Sequence, residues 1–345
     1  MRTVLIKENE LRKICVTLLM KWSVPKDDAE TIADTIVEAN LRGVDTHGVA
    51  ILPTYLKRLR NGGANPNPNV KIEKEGISFC VFNGDNALGA VVAKKAMEKA
   101  IEESRSKGLF ASFCRNSNTF GPAFYYSSLA AEKGMVGIAI CNAPPSMPPW
   151  GGKEPLIGTN PISVAIPVKN DKPIVLDMAT SAAAKSKIYL AIEKGEKIPI
   201  GWALDKEGKP TDDPKKALDG VLLPMGGHKG YGLALIVDIL AGLLSGAGFL
   251  DKVLSLHNQI DKPQNVGFLL MCLNPSLILD ADKFYSSIEE LRRKIKSCQT
   301  ADGTEFILLP GEKEYMTKEI RLKNGIPIPE SIMSQLEELL EENKI

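Results

Sequence analysis

The chain has 345 residues, enough for two or three lobes sharing a sizeable core. Apolar residues make up 44% and charged residues 25%, an ordinary globular balance. The 43 Lys and Arg are matched by 42 Asp and Glu, so no basic excess is left to neutralise nucleic-acid phosphates, and that class of partner is not expected.

In chain order, Leu11, Ile14, Cys15, Leu18 and Leu19 recur at three and four and predict a helix over 9–22. Pro25 opens a second, with Ala29, Ile32, Ala33, Ile36, Val37 and Ala39 on one face and Asp27, Asp28 and Glu30 suiting its positive end. That helix runs into Leu41-Arg42-Gly43-Val44-Asp45-Thr46-His47-Gly48-Val49. A short third helix fits Pro53 to Leu59, and the turn-rich run Asn61 to Asn69 predicts a boundary, giving a helical subdomain over 1–68.

Strands and helices then alternate over 69–279. Val70 to Lys74 and Ser78 to Phe82 read as a hairpin, Ala87 to Lys107 as a long helix, and Ala123 to Lys133 as a shorter one. Leu109 to Cys114, Met135 to Cys141, Ile162 to Pro167, Ile174 to Asp177 and Val266 to Leu273 read as strands. The apolar run Leu233 to Leu250 approaches the roughly 20 residues that span a bilayer. Asp238 interrupts it and Gly242, Gly246 and Gly248 weaken it, so a buried helix of a non-membrane protein is expected. Helices near Asp282 to Lys296 and Glu330 to Glu342 fill a C-terminal segment, 280–345, expected to pack on the helical subdomain.

Six cysteines, at 15, 80, 114, 141, 272 and 298, form no Cys-x-x-Cys pair, and no cluster has metal-ligand spacing. Arg2, Lys7, Glu8, Glu10, Arg12 and Lys13 precede any apolar run, so a secretory leader is not expected and the cytoplasm is. The α/β alternation carries no Gly-x-Gly-x-x-Gly after an early strand and no Gly-x-x-x-x-Gly-Lys-Ser/Thr, which argues against a Rossmann nucleotide fold and a P-loop.

His47 is one of three histidines, and imidazole is the side chain best suited to exchange a proton near neutral pH. The plainer alternative is a histidine that ends a helix. Gly226-Gly227-His228-Lys229-Gly230-Tyr231-Gly232 puts a lysine among glycines at a helix start, where free N–H groups and the helix dipole favour phosphate. A solvated lysine in a loop is the alternative there, as a capped turn is for Gly158-Thr159-Asn160-Pro161 and a surface lysine for Lys187.

These segments, with Asn116-Ser117-Asn118-Thr119-Phe120-Gly121, Pro148-Pro149-Trp150-Gly151-Gly152, Leu176-Asp177-Met178-Ala179-Thr180, Pro210-Thr211-Asp212-Asp213-Pro214 and Leu309-Pro310-Gly311-Glu312, closely resemble the type 2 malate/L-lactate dehydrogenase family over nearly the whole chain. That family includes sulfolactate, ureidoglycolate, diketogulonate and cyclic-imine carboxylate oxidoreductases. The resemblance implies an α+β, non-Rossmann NAD(P)-binding fold with a mixed, largely antiparallel sheet beside a helical subdomain. It implies NAD or NADP as cofactor, an intertwined homodimer, and a small 2-hydroxy or 2-oxo acid as substrate. His47 would carry the proton, oriented by Thr46. Thr159, Ile51 and Thr119 would face the substrate, and Phe120, Gly121, Asp177, Met178, Ala179, His228, Lys229, Gly311 and Glu312 the cofactor.

Two positions depart from the family pattern. The arginine usual four residues after the histidine is Ile51, and the histidine usual in Asn-x-Asn-His-Phe-Gly is Thr119. Losing a guanidinium–carboxylate contact costs roughly 2–5 kcal/mol of binding in a buried site. Either another cation such as Arg42, Lys57 or Arg115 holds the carboxylate, or the substrate lacks one at that place, or catalysis has decayed; the alternative functions are a cyclic imine carboxylate reductase and an inactive cofactor-binding relative with a regulatory or structural role.

Overall fold

The computed structural model describes residues 2–342. A short strand β1 (Thr3–Ile6) leads into helices α1 (Glu8–Lys21), α2 (Lys26–Leu41) and α3 (Leu52–Arg60). Leu11, Leu18, Ile32, Ile36, Leu52 and Leu56 interlock there as one core, the face that the three-and-four spacing predicted. Gly43 ends α2 in the left-handed region (φ +80°), and the Val44 N–H closes back on the Ala39 carbonyl at 2.8 Å. This left-handed stop, easiest for glycine, turns the chain out of α2 into the 3₁₀ turn Asp45–His47.

The chain then builds β2 (Lys71–Glu75), β3 (Phe79–Ala87), α4 (Gly89–Lys107), β4 (Leu109–Ser117), α5 (Ala123–Ala131), β5 (Val136–Cys141), β6 (Ile162–Ile166) and β7 (Ile174–Met178). After α6 (Lys185–Lys194), the short pair β8 (Ala203–Leu204) and β9 (Val221–Leu222) brackets α7 (Pro214–Leu218). Then come α8 (His228–Val237) and β10 (Val266–Leu273). The seven-stranded sheet has the order β2-β3-β4-β10-β5-β6-β7. Only β3 and β4, joined through α4, run parallel, and every other neighbour is antiparallel. The sheet is therefore mixed and largely antiparallel, as expected. β10, almost wholly buried, is a near-continuous apolar run because both its faces are covered.

α8 corrects one expectation. Its inner side carries Ala234 and Val237 and continues as a π-helical turn, Asp238–Leu243, against the sheet. Its outer side is not buried: Leu233, Ile236, Leu243 and Leu244 are 41%, 54%, 53% and 58% exposed. The run is apolar because two faces need apolar residues, and one of them lies open. No helix among the described residues is long and apolar enough to cross a membrane.

α9 (Ala281–Lys296), α10 (Glu312–Asn324), β11 (Ile326–Pro329) and α11 (Glu330–Glu341) complete the described residues. β11 pairs antiparallel with β1, from Thr3 opposite Pro329 to Ile6 opposite Ile326, and Met333 and Leu336 of α11 join the helical core. α10 escaped sequence reading because its faces are polar nearly all round and its one apolar row, Met316 and Ile320, is exposed.

Arg58 fastens the helical subdomain to the sheet. It is fully buried, and its guanidinium donates to the carbonyls of Gly63, Leu256, Gln259 and Lys262 and to Asn118 Oδ1 at 2.6–3.3 Å. Truncating it strands buried acceptors, so Arg58→Ala should lower stability by about 3–5 kcal/mol, with Arg58→Lys between it and wild type. The shift of the urea midpoint measures this, and an unshifted midpoint for Arg58→Ala would refute it.

Candidate active site

His47 closes the 3₁₀ turn, and that turn is braced from both sides. Asn40 on α2 donates from Nδ2 to Asp45 Oδ1 at 2.7 Å and accepts the Val49 N–H on Oδ1 at 2.7 Å. Arg321 on α10 clasps Asp45 in a two-pronged ion pair, Nη1 to Oδ1 at 2.6 Å and Nη2 to Oδ2 at 3.0 Å, and also donates to the Asn40 carbonyl. The Thr46 hydroxyl lies 3.1 Å from His47 Nδ1. His47 is exposed from one side, and the protein around the rest of the ring lowers the imidazole pKa from its ordinary value by desolvation, which favours the neutral ring at pH 7. Arg321 and Asn40 carry no sequence signal of this task. Arg321 lies 276 positions from its carboxylate partner.

The residues leading into the turn border a cavity of about 370 Å³, lined by Arg42, Val44, Phe124, Asp177, Gly311 and Glu314 among others. Asp177, at the end of β7, accepts the Phe124 N–H at the start of α5. Desolvation pushes its carboxyl up to about 7, against the opposing pull of that N–H and of Arg42. Asp177 is nonetheless solvent-exposed on one side. Arg42 is clamped between the rings of Phe124 and Tyr315, 4.5 and 4.7 Å from their centroids, and gives its Nε to Glu38 at 2.7 Å. Glu38 also accepts from Lys318 of α10.

The end of β7 continues into the other predicted segments. Thr180 donates its N–H and its hydroxyl to the Thr159 carbonyl at 2.8 and 2.9 Å, and the Met225 N–H donates to the Thr180 carbonyl at 2.9 Å. Asn160, fully buried, accepts the Ala143 N–H and donates to the Ala234 carbonyl of α8. The structure thus stitches together Thr159, Asp177-Met178-Ala179 and the start of α8 at His228-Lys229. Gly226 and Gly227 are both left-handed (φ +58° and +65°), and a Cβ on Gly227 would sit 3.0 Å from the Trp150 ring. His228 and Lys229 are exposed, His228 edge-on to Trp150.

Other predicted residues are placed less simply. Phe120 turns its side chain into the core, 2% exposed and stacked on Tyr126 and Phe268 at 4.9 and 5.0 Å, so its ring is not available to a cofactor. Gly121 beside it has open space where a Cβ would stand. Glu312 is tied to Lys296 and to the Leu309 N–H, and lines a separate cavity of about 600 Å³ behind the Leu308–Pro310 segment. Ile51 packs partly on the helical core. Of the three alternative cations, Lys57 borders a recess with Trp22 and Glu338, Arg115 is paired with Glu73, and Arg42 lines the Asp177 cavity. Lys187 lies against Trp202 on the surface.

The residues present fit a dinucleotide: glycines without side-chain bulk, a lysine at a helix start with no ion-pair partner among the described residues, and a cavity in which apolar walls carry Arg42 and the carboxylates of Asp177 and Glu314. Comparison with known proteins agrees. The malate/L-lactate dehydrogenase family matches residues 6–337. The chain is 43% identical to L-sulfolactate dehydrogenase of Methanocaldococcus jannaschii over 339 residues, 98% of this chain and 97% of that one. It is 40% identical to malate dehydrogenase of Pyrococcus abyssi over 342 residues, 97% and 93% of the two. The solved structure of sulfolactate dehydrogenase from Methanocaldococcus jannaschii superposes with a TM-score of 0.93 at 42% identity, covering 97% and 96%.

Asp177 gives a pH signature. Its folded pKa lies above its unfolded value near 3.8, so the folded state holds the proton longer and stability falls as pH rises from about 4 towards 7. Asp177→Asn keeps an acceptor for the Phe124 N–H without the charge, and its melting temperature relative to wild type should be higher at pH 8 than at pH 5. Melts at the two pH values with no such difference would contradict the assignment.

Proposed function

That match places the chain in the malate/L-lactate dehydrogenase family, and from this premise we propose that it is an NAD(P)-dependent oxidoreductase of small 2-hydroxy and 2-oxo acids with His47 as the proton carrier. A bound nicotinamide supplies hydride acceptance and donation. Gly121, Asp177, Met178, Ala179, Lys229 and Gly311 are the residues offered to it. The observation that carries the reading is the braced, neutral His47. With Thr46 accepting from Nδ1–H, Nε2 is a bare base able to take the alcohol proton. With Nε2 protonated, the same hydroxyl still accepts from Nδ1–H while the ring returns a proton to the carbonyl oxygen. Thr46 therefore orients the ring in both directions of reaction.

Relatives named for sulfolactate and malate support a substrate with a second anionic group. Ile51 cannot hold one by charge. Arg42, pre-organised by its aromatic clamp and facing the Asp177 cavity, is the chain's own cation best placed for it. The six free cysteines favour a reducing compartment, the cytoplasm.

His47→Asn should reduce turnover of the best acid substrate by about 10²–10⁴-fold while NADH or NADPH affinity, followed by fluorescence titration, stays near wild type. Because the imidazole pKa is lowered from 6.5, alcohol oxidation should persist as pH falls to 6.5 and decline only below it, and His47→Asn should erase that acidic limb. Near wild-type turnover in the variant would move the proton role elsewhere.

The exposed row Leu233, Ile236, Leu243 and Leu244 supports a homodimer that covers α8. Light scattering at micromolar concentration should give twice the chain mass, and Leu243→Glu with Leu244→Glu should return it to the monomer. A monomeric wild type would count against the assembly.

A further inference from the structure

Thr119, which stands where the family usually has histidine, is held by its backbone from two sides. Its N–H donates to Gln264 Oε1 at 3.0 Å, and its carbonyl accepts the Gly89 N–H at 3.1 Å. Gln264 is 1% exposed and anchored at its other end, Nε2 to the Leu254 carbonyl at 3.2 Å. Its own N–H meets Asn118 Oδ1 at 3.3 Å, the acceptor that Arg58 also holds. Thr119 itself is half-buried, and its hydroxyl has no protein partner among the described residues. A half-buried amide has water within reach, so satisfying it does not require a buried glutamine. What the glutamine adds is direction: a threonine hydroxyl sits one bond from Cβ, so for a given rotamer the backbone position decides where it points.

We propose that Gln264 is a positioning residue that aims the Thr119 hydroxyl at the substrate through the Thr119 N–H. This rests on the reading of the chain as a hydroxy-acid oxidoreductase with Thr119 facing the substrate. Gln264 touches neither substrate nor cofactor in this assignment. Its effect on turnover passes entirely through Thr119.

A double-mutant cycle tests this on the full chain, with Gln264→Met, Thr119→Val and the pair assayed on a panel of 2-oxo acids, and NADH affinity read by fluorescence. Gln264→Met should lower kcat/KM by about 10–100-fold, the scale of a misplaced contact, with NADH affinity changed less than about 3-fold. The paired variant should be no worse than the poorer single variant. Gln264→Glu keeps an acceptor for the Thr119 N–H but can also hold the Leu254 carbonyl only when protonated, so relative to wild type at the same pH it should recover more of the loss at pH 5 than at pH 8. A Gln264→Met penalty of the same size in the Thr119→Val background overturns the proposal, because a merely structural glutamine would act independently of that hydroxyl. Wild-type kinetics in Thr119→Val, beside an inactive His47→Asn, also overturn it while leaving the oxidoreductase reading intact. NADH binding without turnover of any acid by wild type overturns the substrate reading and this proposal with it.

Discussion

A buried guanidinium with no carboxylate in contact among the described residues is the constraint from which the parts of the candidate site take their places. Arg58 spends its two terminal nitrogens on four backbone carbonyls and one side-chain amide and leaves Nε without a partner among the described residues, so its charge is met mainly by oriented dipoles, with Asp261 acting only at longer range. Those acceptors belong to the turn after α3, the loop before β10, and Asn118. α3 follows directly on the His47 turn, and Asn118 directly precedes Thr119. One side chain therefore ties the helices that carry His47 to the chain just after β4, where Asn118 and Thr119 lie. A lysine has no planar fork and could not reach all three segments at once.

A second layer of long-range pairing acts on the turn itself. α10 sends Lys318 to Glu38 and Arg321 to Asp45, gripping α2 and the turn that follows it from a segment far along the chain. Glu38 is shared between the half-buried Lys318 and the clamped Arg42, so the nearly buried Glu38 and Arg42 do not stand as lone charges. The His47 turn is short and irregular, and without these braces it would be among the more mobile parts of the surface.

Much of this was legible in the sequence. The strands of the central sheet were visible because their apolar runs are short and bounded by turns, and α1, α2 and α4 because their apolar rows repeat at helical spacing. His47, Asp177 and Lys229 stood out because each lies in an uncommon motif. What stayed hidden is of two kinds. α10 has no apolar stripe to announce it, and α8 looked buried because sequence counts apolar residues without saying which neighbours cover them. Arg58, Gln264 and Arg321 were unreadable for a different reason: each acts on partners 60 to 281 positions away. Phe120 was expected to face the cofactor as part of its motif, but the motif does not say which way the ring turns, and in the loop between β4 and α5 the ring points into the core.

The strand order carries a consequence for how the chain acquires its shape. β4 and β5 do not pair with each other; each bonds to β10, which arrives more than 120 residues after β5. Until β10 inserts, β2-β3-β4 and β5-β6-β7 are two separate three-stranded pieces, each with an open edge facing a gap. The sheet therefore zips shut from its middle and late, at a high loop-closure cost, and the site spread across both pieces comes into being in that same step. Folding and the assembly of the candidate site are one event, and during synthesis the two half-sheets must be kept from pairing with foreign strands until residue 273 has left the ribosome.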